Sequence, residues 1–454
     1  MIIMKFGGTS VEDAGAIARL SCIVSGRLKQ QPVLVVSAMA KVTDALLQAA
    51  SLASTGDERS TFELLDQLQE RHVAAARELL PAEDRAAVFL RELFDELRPL
   101  LEGVCALREL TPRLGDRIVS FGERLSTVIV TGVLQHSGVA AELVDARECI
   151  VTDDHFTCAT PLVDQSYDRL RNKLLPLLGQ GRVAVLGGFI ASNRKGVTTT
   201  LGRGGSDFTA ALVGAALDAE RIEIWTDVDG IRTTDPRLYS EAQPVETLSF
   251  HEASELAHFG AKVLHPATLL PAIENNIAVY VLNSRNPHHR GTCVRAESEG
   301  PARVKAIAVK RGITLLEAST PRSLRRRGLA RDVLHLLEQH GRAPDVASIS
   351  DTSVTVTVDT REVASLVAQK LGPRVHVQAE NSKAIISLVA ENIRAIPDLP
   401  GQVFAALQGL DVCLIAQGAS RWSFSFVVEE KDAAEAVRRL HQGLIEADNT
   451  PEGG

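Results

Sequence analysis

Short, wholly apolar runs at residues 1–4, 33–36, 183–186, 222–225 and 278–282 recur between stretches of helical spacing. Runs of that length without polar alternation predict strands buried on both faces, so the rhythm points to a mostly parallel sheet covered by helices. From about residue 57 to 107 the text turns helical. Leu65 and Leu68, then Leu90, Leu93, Phe94 and Leu97, share helical faces and predict a helical subdomain packed on the sheet. Residues 287–301 read as a polar linker, in which His288 and His289 are solvated rather than metal-bound. Beyond it, alternating strands at 313–316, 353–358, 384–389 and 422–428 are accompanied by helices at 328–337, 362–371, 399–407 and 433–444. The pattern occurs twice as β-α-β-β-α-β, a ferredoxin-like module in two copies.

Two glycine turns follow strands of the first part and carry candidate chemistry. In LGRGGSD, residues 201–207, Gly202, Gly204 and Gly205 leave backbone amides unshielded, and Ser206 or Asp207 can cap the helix expected over 208–217. Such a helix start attracts phosphate or carboxylate, and Arg203 adds a forked donor for a carboxylate. The next strand delivers Thr226, Asp227, Asp229 and Gly230 to its carboxyl end, where open α/β sheets bind ligands. At the amino terminus Lys5 ends a strand directly before Gly7 and Gly8, placing a point charge beside a backbone that can approach phosphate, with Thr9 and Ser10 as hydroxyl donors. No Walker A pattern and no protein-kinase signature is present, so phosphate handling requires another fold.

The blocks KFGGTSV (5–11), SFGERLS (120–126), TTTLGRGGSDFTAA (198–211), WTDVDGIRTTDPR (225–237) and FGAKVLHPAT (259–268) together resemble the aspartokinases, in that family's order. The related kinases of acetylglutamate, glutamate, carbamate or uridylate lack the second and fifth blocks. The resemblance implies an amino-acid kinase fold over residues 1–290, followed by two ACT modules at about 302–382 and 383–454, the strand at 302–310 being returned to the second. It implies transfer of the ATP γ-phosphoryl group to the side-chain carboxylate of L-aspartate, the first step towards lysine, threonine and methionine, with Mg²⁺ bridging the phosphates. Lys5 with the Gly7 and Gly8 amides would neutralise the transferred group, and Asp207 would organise lysine and metal. By carry-over Arg203 holds the α-carboxylate of aspartate and Glu123 its ammonium, while Ser37, Thr43 and Ser206 contact the substrate. Thr226, Asp227, Arg237 and Lys262 fall on nucleotide-binding positions. Arg232 stands where the family commonly has an aromatic ring, and could stack on the nucleotide or meet phosphate.

Lysine-regulated aspartokinases resemble this chain most, which implies a lysine effector near Asp345, Ser350 and Asp351, with threonine the alternative. The run RSLRRRGLAR (322–331) is strongly basic where a small polar residue is usual. ACT modules commonly pair across chains, implying at least a homodimer. Composition agrees with a cytoplasmic enzyme of two or three domains: 454 residues exceed one core, a net charge of -8 leaves no basic footprint for nucleic acid, and no apolar run approaches a membrane span. Residues 1–4 are too short for a signal peptide, and the chain leaves no room for a fused homoserine dehydrogenase. The six cysteines lack metal-ligand spacing and read as reduced thiols. An inactive amino-acid sensor is disfavoured because Lys5, Glu123, Arg203, Asp207 and Lys262 are all present, and a kinase of another small acid because Glu123 with Arg203 demands a zwitterion.

Overall fold

Residues 82–83, 261–265, 299–301, 322–327, 360, 373–374 and 448–454 apart, the computed structural model describes the whole chain. It forms two compact units, Met1–Ile231 with Leu264–Ala296, and Arg232–Val263 with Glu297–Gly454.

The first unit is built on a sheet whose strands lie in the order Ala141–Val144, Val183–Gly187, Pro32–Val36, Ile2–Phe6, Arg221–Thr226, Ala278–Asn283 and Thr292–Arg295. Every neighbouring pair is parallel except the last. The central strand explains why its sequence lacks alternation: Ile2, Ile3, Met4 and Phe6 are all completely buried, because helices cover both faces. Phe6 and Trp225 stack with ring centroids 6.0 Å apart, locking the central pair of strands. The helical subdomain comprises Glu58–Leu79 and Arg85–Leu107, each capped by an aspartate, Asp57 or Asp84, that accepts a first-turn N–H. Their apolar faces, including Leu65, Leu68, Leu90, Leu93, Phe94 and Leu97, join one core with Phe6 and Val36.

The second unit carries an antiparallel sheet in the order Ala347–Ile349, Ser353–Val358, Ala306–Ser319, His376–Val389, Ser423–Glu429 and Val412–Gln417. The two modules share one sheet, and residues 306–310 pair within the second half, as expected of the strand at 302–310. Ala306–Ser319 and His376–Val389 are each one strand of 14 residues running through both halves. Residues 306–310 pair with 385–389, and residues 313–319 pair with 376–383, with register shifts around Gly312, which adopts φ 73°. Each half keeps its own apolar cluster: Leu316, Val333, Leu337 and Val354 in one, Ile386, Val403, Phe424 and Val437 in the other.

The units cut the chain differently from the expected boundary at residue 290. Residues 232–263 group with the second unit, since Leu238 and Tyr239 pack on its second cluster and the Tyr239 hydroxyl donates to Glu446 at 2.8 Å. Thr233 Oγ1 lies 2.7 Å from Nε2 of the buried His441. Among the described residues no helix is long and apolar enough to cross a membrane.

Candidate active site

Because the strands run parallel, the carboxyl ends of Ile2–Phe6, Pro32–Val36 and Val183–Gly187 open on one edge of the sheet. A cleft of about 300 Å³ lies there, and Lys5, Ser37, Thr43, Glu123, Ser206 and Asp207 all line it. Residues scattered over two hundred positions of sequence therefore converge. Lys5 Nζ stands 2.7 Å from Asp207 Oδ1, each side chain only 13% exposed. The carboxylate fixes the ammonium at the strand end and compensates its desolvation.

Glycine suits the floor. A Cβ on Gly8 would lie 3.0 Å from Ala38 O and crowd the loop after Val36, which closes over this turn with the Ala40 N–H donating to Gly8 O at 3.1 Å. Gly7 behaves otherwise than expected. Its amide continues the strand ladder by donating to Trp225 O at 3.0 Å, which leaves the phosphate-facing part assigned to it to Gly8.

The second glycine turn opens the helix Gly205–Ala216, whose N-cap is Gly204 at φ 74° with no side-chain cap. The cap expected from Ser206 or Asp207 is absent because the helix starts before both of them. Its first amides therefore lack a side-chain acceptor, and Asp207 sits in the first turn at the positive end of the dipole. Gly188 allows the close approach of Ser206, whose Cβ would lie 2.6 Å from a Cβ added there. The turn is anchored from behind by buried Asp116, which accepts from the Thr200 N–H at 3.0 Å, the Thr200 hydroxyl at 2.8 Å and the Thr157 N–H at 2.9 Å. Arg203 projects from this turn, exposed and without a hydrogen-bond or ion-pair partner among the described residues, outside the lining of the cleft itself.

Glu123, in the first turn of Phe121–His136, is 3% exposed. One carboxyl oxygen accepts from the Ala38 N–H at 3.2 Å. The other is buried with no partner among the described residues. Burial pushes its pKa from 4.5 up to about 8, only partly offset by the Ala38 N–H. An acceptor left alone at the wall of a cleft is a place prepared for a donor, and a cationic one restores the charge.

The candidates for the nucleotide divide. Thr226 and Asp227 stand at the end of Arg221–Thr226, where the Thr226 hydroxyl donates to Asp227 at 3.2 Å and Thr226 O accepts from the Ser284 N–H at 2.8 Å. Arg232 and Arg237 belong to the second unit. There Arg232 donates to Ala242 O at 2.9 Å, and Arg237 pairs with Asp235 at 2.6 Å. Lys262 lies outside the described residues.

Of the effector candidates, Asp345 precedes the strand Ala347–Ile349, and Ser350 and Asp351 follow it. Asp345 already faces the Lys310 ammonium at 2.7 Å and the His258 imidazole at 3.1 Å. Burial raises the pKa of its carboxyl, but the hydrogen bonds from His258 and Lys310 outweigh that and hold it low; Asp345 in turn raises the pKa of His258. Ser350 and Asp351 are exposed in the following turn, Ser350 bonded to Ser353 Oγ at 2.7 Å. The basic run at 322–327 lies outside the described residues.

Lys41, Asp44 and Phe189 also line the cleft, and the sequence reading passed over all three. Their signal was the small-residue loop Ser37-Ala38-Met39-Ala40 after a strand, and Gly187-Gly188 after another, each a strand end without a long glycine motif.

The chain matches the Amino acid kinase family over residues 1–283 and the ACT domain over residues 386–444. It is 37% identical to lysine-sensitive aspartokinase 3 of Escherichia coli (strain K12), over 98% of this chain and 99% of that one. It is 36% identical to the chloroplastic aspartokinase 3 of Arabidopsis thaliana, over 98% of this chain and 82% of that one. The crystal structure of E. coli aspartokinase III in complex with aspartate and ADP superposes with a TM-score of 0.82 at 35% identity, covering 98% of this chain and 99% of that one. The same enzyme in complex with lysine and aspartate gives a TM-score of 0.82 at 36% identity over 98% and 99%.

Proposed function

We infer the chemistry from the premise that this chain belongs to the amino acid kinase family and, within it, to the aspartokinases. The reaction we propose is attack of the side-chain carboxylate of L-aspartate on the γ-phosphorus of ATP. A P–O bond forms to the acyl oxygen, the bond to the bridging oxygen of ADP breaks, and 4-phospho-L-aspartate results. The observation that carries this reading is the buried, partnerless carboxyl oxygen of Glu123 in the cleft that also holds the Lys5–Asp207 pair. The first calls for a cationic group on the acceptor, the second for an anion in transfer.

The nucleophile needs no general base, because a carboxylate is already ionised at neutral pH. The protein's work is to hold two anions in line and to offset the charge that spreads over the transferred group. Lys5, held by Asp207, supplies that charge, and the Gly8 turn and the Ser206 and Asp207 positions of the uncapped helix start supply amides. Glu123 receives the ammonium of aspartate, Arg203 its α-carboxylate, and Ser37, Thr43 and Ser206 border the reacting end. Thr226 and Asp227 face the nucleotide. Asp207, a carboxylate lining the cleft, would be the protein group toward a Mg²⁺ carried by the nucleotide's phosphates, and that ion would offset phosphate charge.

Arg203→Ala is expected to raise the KM for aspartate roughly 10 to 100-fold, the loss of one charged two-point contact, while KM for ATP moves less than about twofold. Initial-rate kinetics with each substrate varied in turn decide it. A rise confined to ATP would exchange the two sites.

Control by lysine is part of the same proposal, supported by the likeness to the lysine-sensitive E. coli enzyme and to its lysine complex. Lysine would act in the second unit, in a chain assembled at least as a dimer through its ACT modules, by favouring one arrangement over another. Since Lys310 already holds Asp345, an effector ammonium at that carboxylate would share it with Lys310 or take its place. Rising lysine is expected to lower the rate at fixed aspartate and ATP, with threonine inert at the same concentrations. A rate indifferent to lysine at every concentration contradicts this.

A further inference from the structure

The charges lining the cleft do not balance the reaction proposed above. Lys5 is tied to Asp207, Glu123 is taken up by the ammonium of the acceptor, and Asp44 adds acid to a site that must receive two anions. Lys41 is the one lining cation that has no carboxylate partner among the described residues. It is also held in an uncommon backbone conformation, φ 67°, as the N-cap of the helix Val42–Thr55. A lysine has no local reason to adopt the left-handed region, which favours glycine. The surrounding loop imposes it. The Ser37 N–H donates to Phe6 O at 3.0 Å, the Ala38 N–H to Glu123 at 3.2 Å, and the Ala40 N–H to Gly8 O at 3.1 Å. Arg71, from the helical subdomain, donates to Ala40 O at 2.7 Å and with its other nitrogen to Glu12 O at 2.9 Å. Ser37 O accepts from the Ser126 hydroxyl at 2.8 Å. A backbone strained and fixed from so many sides, ending in an unpaired cation at a cleft, matches the way functional sites store strain.

We propose that Lys41 is a catalytic residue of this site, meeting the acceptor carboxylate and the phosphoryl group transferred to it. The inference rests on the aspartokinase reaction proposed above. Its ammonium adds to the charge that Lys5, shared with Asp207, and the backbone amides supply.

Glycine separates this role from a structural one, because Lys41→Gly removes the charge and relieves the backbone together. The purified full chain, Lys41→Gly and Lys41→Arg are compared by thermal melting and by ADP release with aspartate and ATP varied. The expected result is a Lys41→Gly protein that melts at or above the parent, with kcat lower by roughly 10 to 100-fold, and a Lys41→Arg protein recovering most of it. A Lys41→Gly protein with the parent's kcat and KM overturns the proposal, as does a loss that arginine does not recover. A parent that releases no ADP with aspartate sinks the underlying reaction instead, and the proposal with it.

Discussion

Lys5→Met is expected to fold like the parent and to turn over roughly 10² to 10³-fold more slowly, the cost of losing one preorganised charge partner of the transition state. The fold should survive because the side chain is not part of the apolar core: Ile2, Ile3, Met4 and Phe6 hold the strand, and Lys5 is intermediate in exposure. Removing it leaves Asp207 without its partner in a largely buried place, so a modest loss of stability accompanies the loss of rate. The effect should fall on kcat rather than on the KM for aspartate. Far-ultraviolet circular dichroism with initial rates tests both halves, and near-normal turnover in a folded variant removes Lys5 from the chemistry.

Glu123→Gln should show opposite effects on stability and function. Glu123 keeps its proton in the folded protein up to a pH of about 8, whereas an unfolded chain releases it near 4.5. Between those values the unfolded state binds fewer protons, so this group lowers stability progressively as pH rises, and the cost is complete above the folded pKa. Below pH 4.5 both states are protonated and the cost vanishes. Glutamine keeps the acceptor for Ala38 and cannot ionise. The variant should therefore match the parent in acid and exceed it at pH 8, by on the order of 4 kcal/mol as an upper bound. Function moves the other way. An ammonium arriving at Glu123 displaces its proton, so the parent's KM for aspartate should fall by up to tenfold per pH unit from pH 6 to about 8. In Glu123→Gln that slope should flatten and KM should rise roughly 10²-fold. Denaturant unfolding across pH, beside KM across pH, checks the pair. A variant no more stable than the parent at pH 8 would falsify the account of Glu123 as an unmatched buried acid.

The parts of the molecule legible in the sequence are those set by local physics. Unbroken apolar runs such as Ile2 to Met4 read as strands buried on both faces, and the glycines at 7, 8, 202, 204 and 205 announced turns, with side chains crowded at 8, 202 and 205. Lys5 was conspicuous because it ends such a strand. Lys41 was not, since its conformation comes from loop partners far away in sequence, among them Gly8, Arg71 and Glu123, and a lysine before Val42 reads as an ordinary helix start. The shared strands of the second unit were hidden for a related reason. Arg311 and Gly312 interrupt the apolar pattern and look like a strand end, yet they are a bulge at which one strand passes from one apolar cluster to the other. Residues 225–237 read as one motif, but Leu238 and Tyr239 pack with the second unit, a long-range preference no local window contains. Asp345 matched an acidic effector position by type alone, and its existing pairing with Lys310 and His258 is visible only in three dimensions.

The central claim is that the cleft takes a zwitterionic acceptor and phosphorylates its side-chain carboxylate. The most direct measurement is acyl phosphate formation with ATP, trapped as the hydroxamate by hydroxylamine, with L-aspartate, L-glutamate and N-acetyl-L-aspartate offered separately. The account predicts hydroxamate from L-aspartate and essentially none from N-acetyl-L-aspartate, which has no ammonium to meet Glu123. Equal product from the acetylated acceptor, or product from glutamate and none from aspartate, would contradict it.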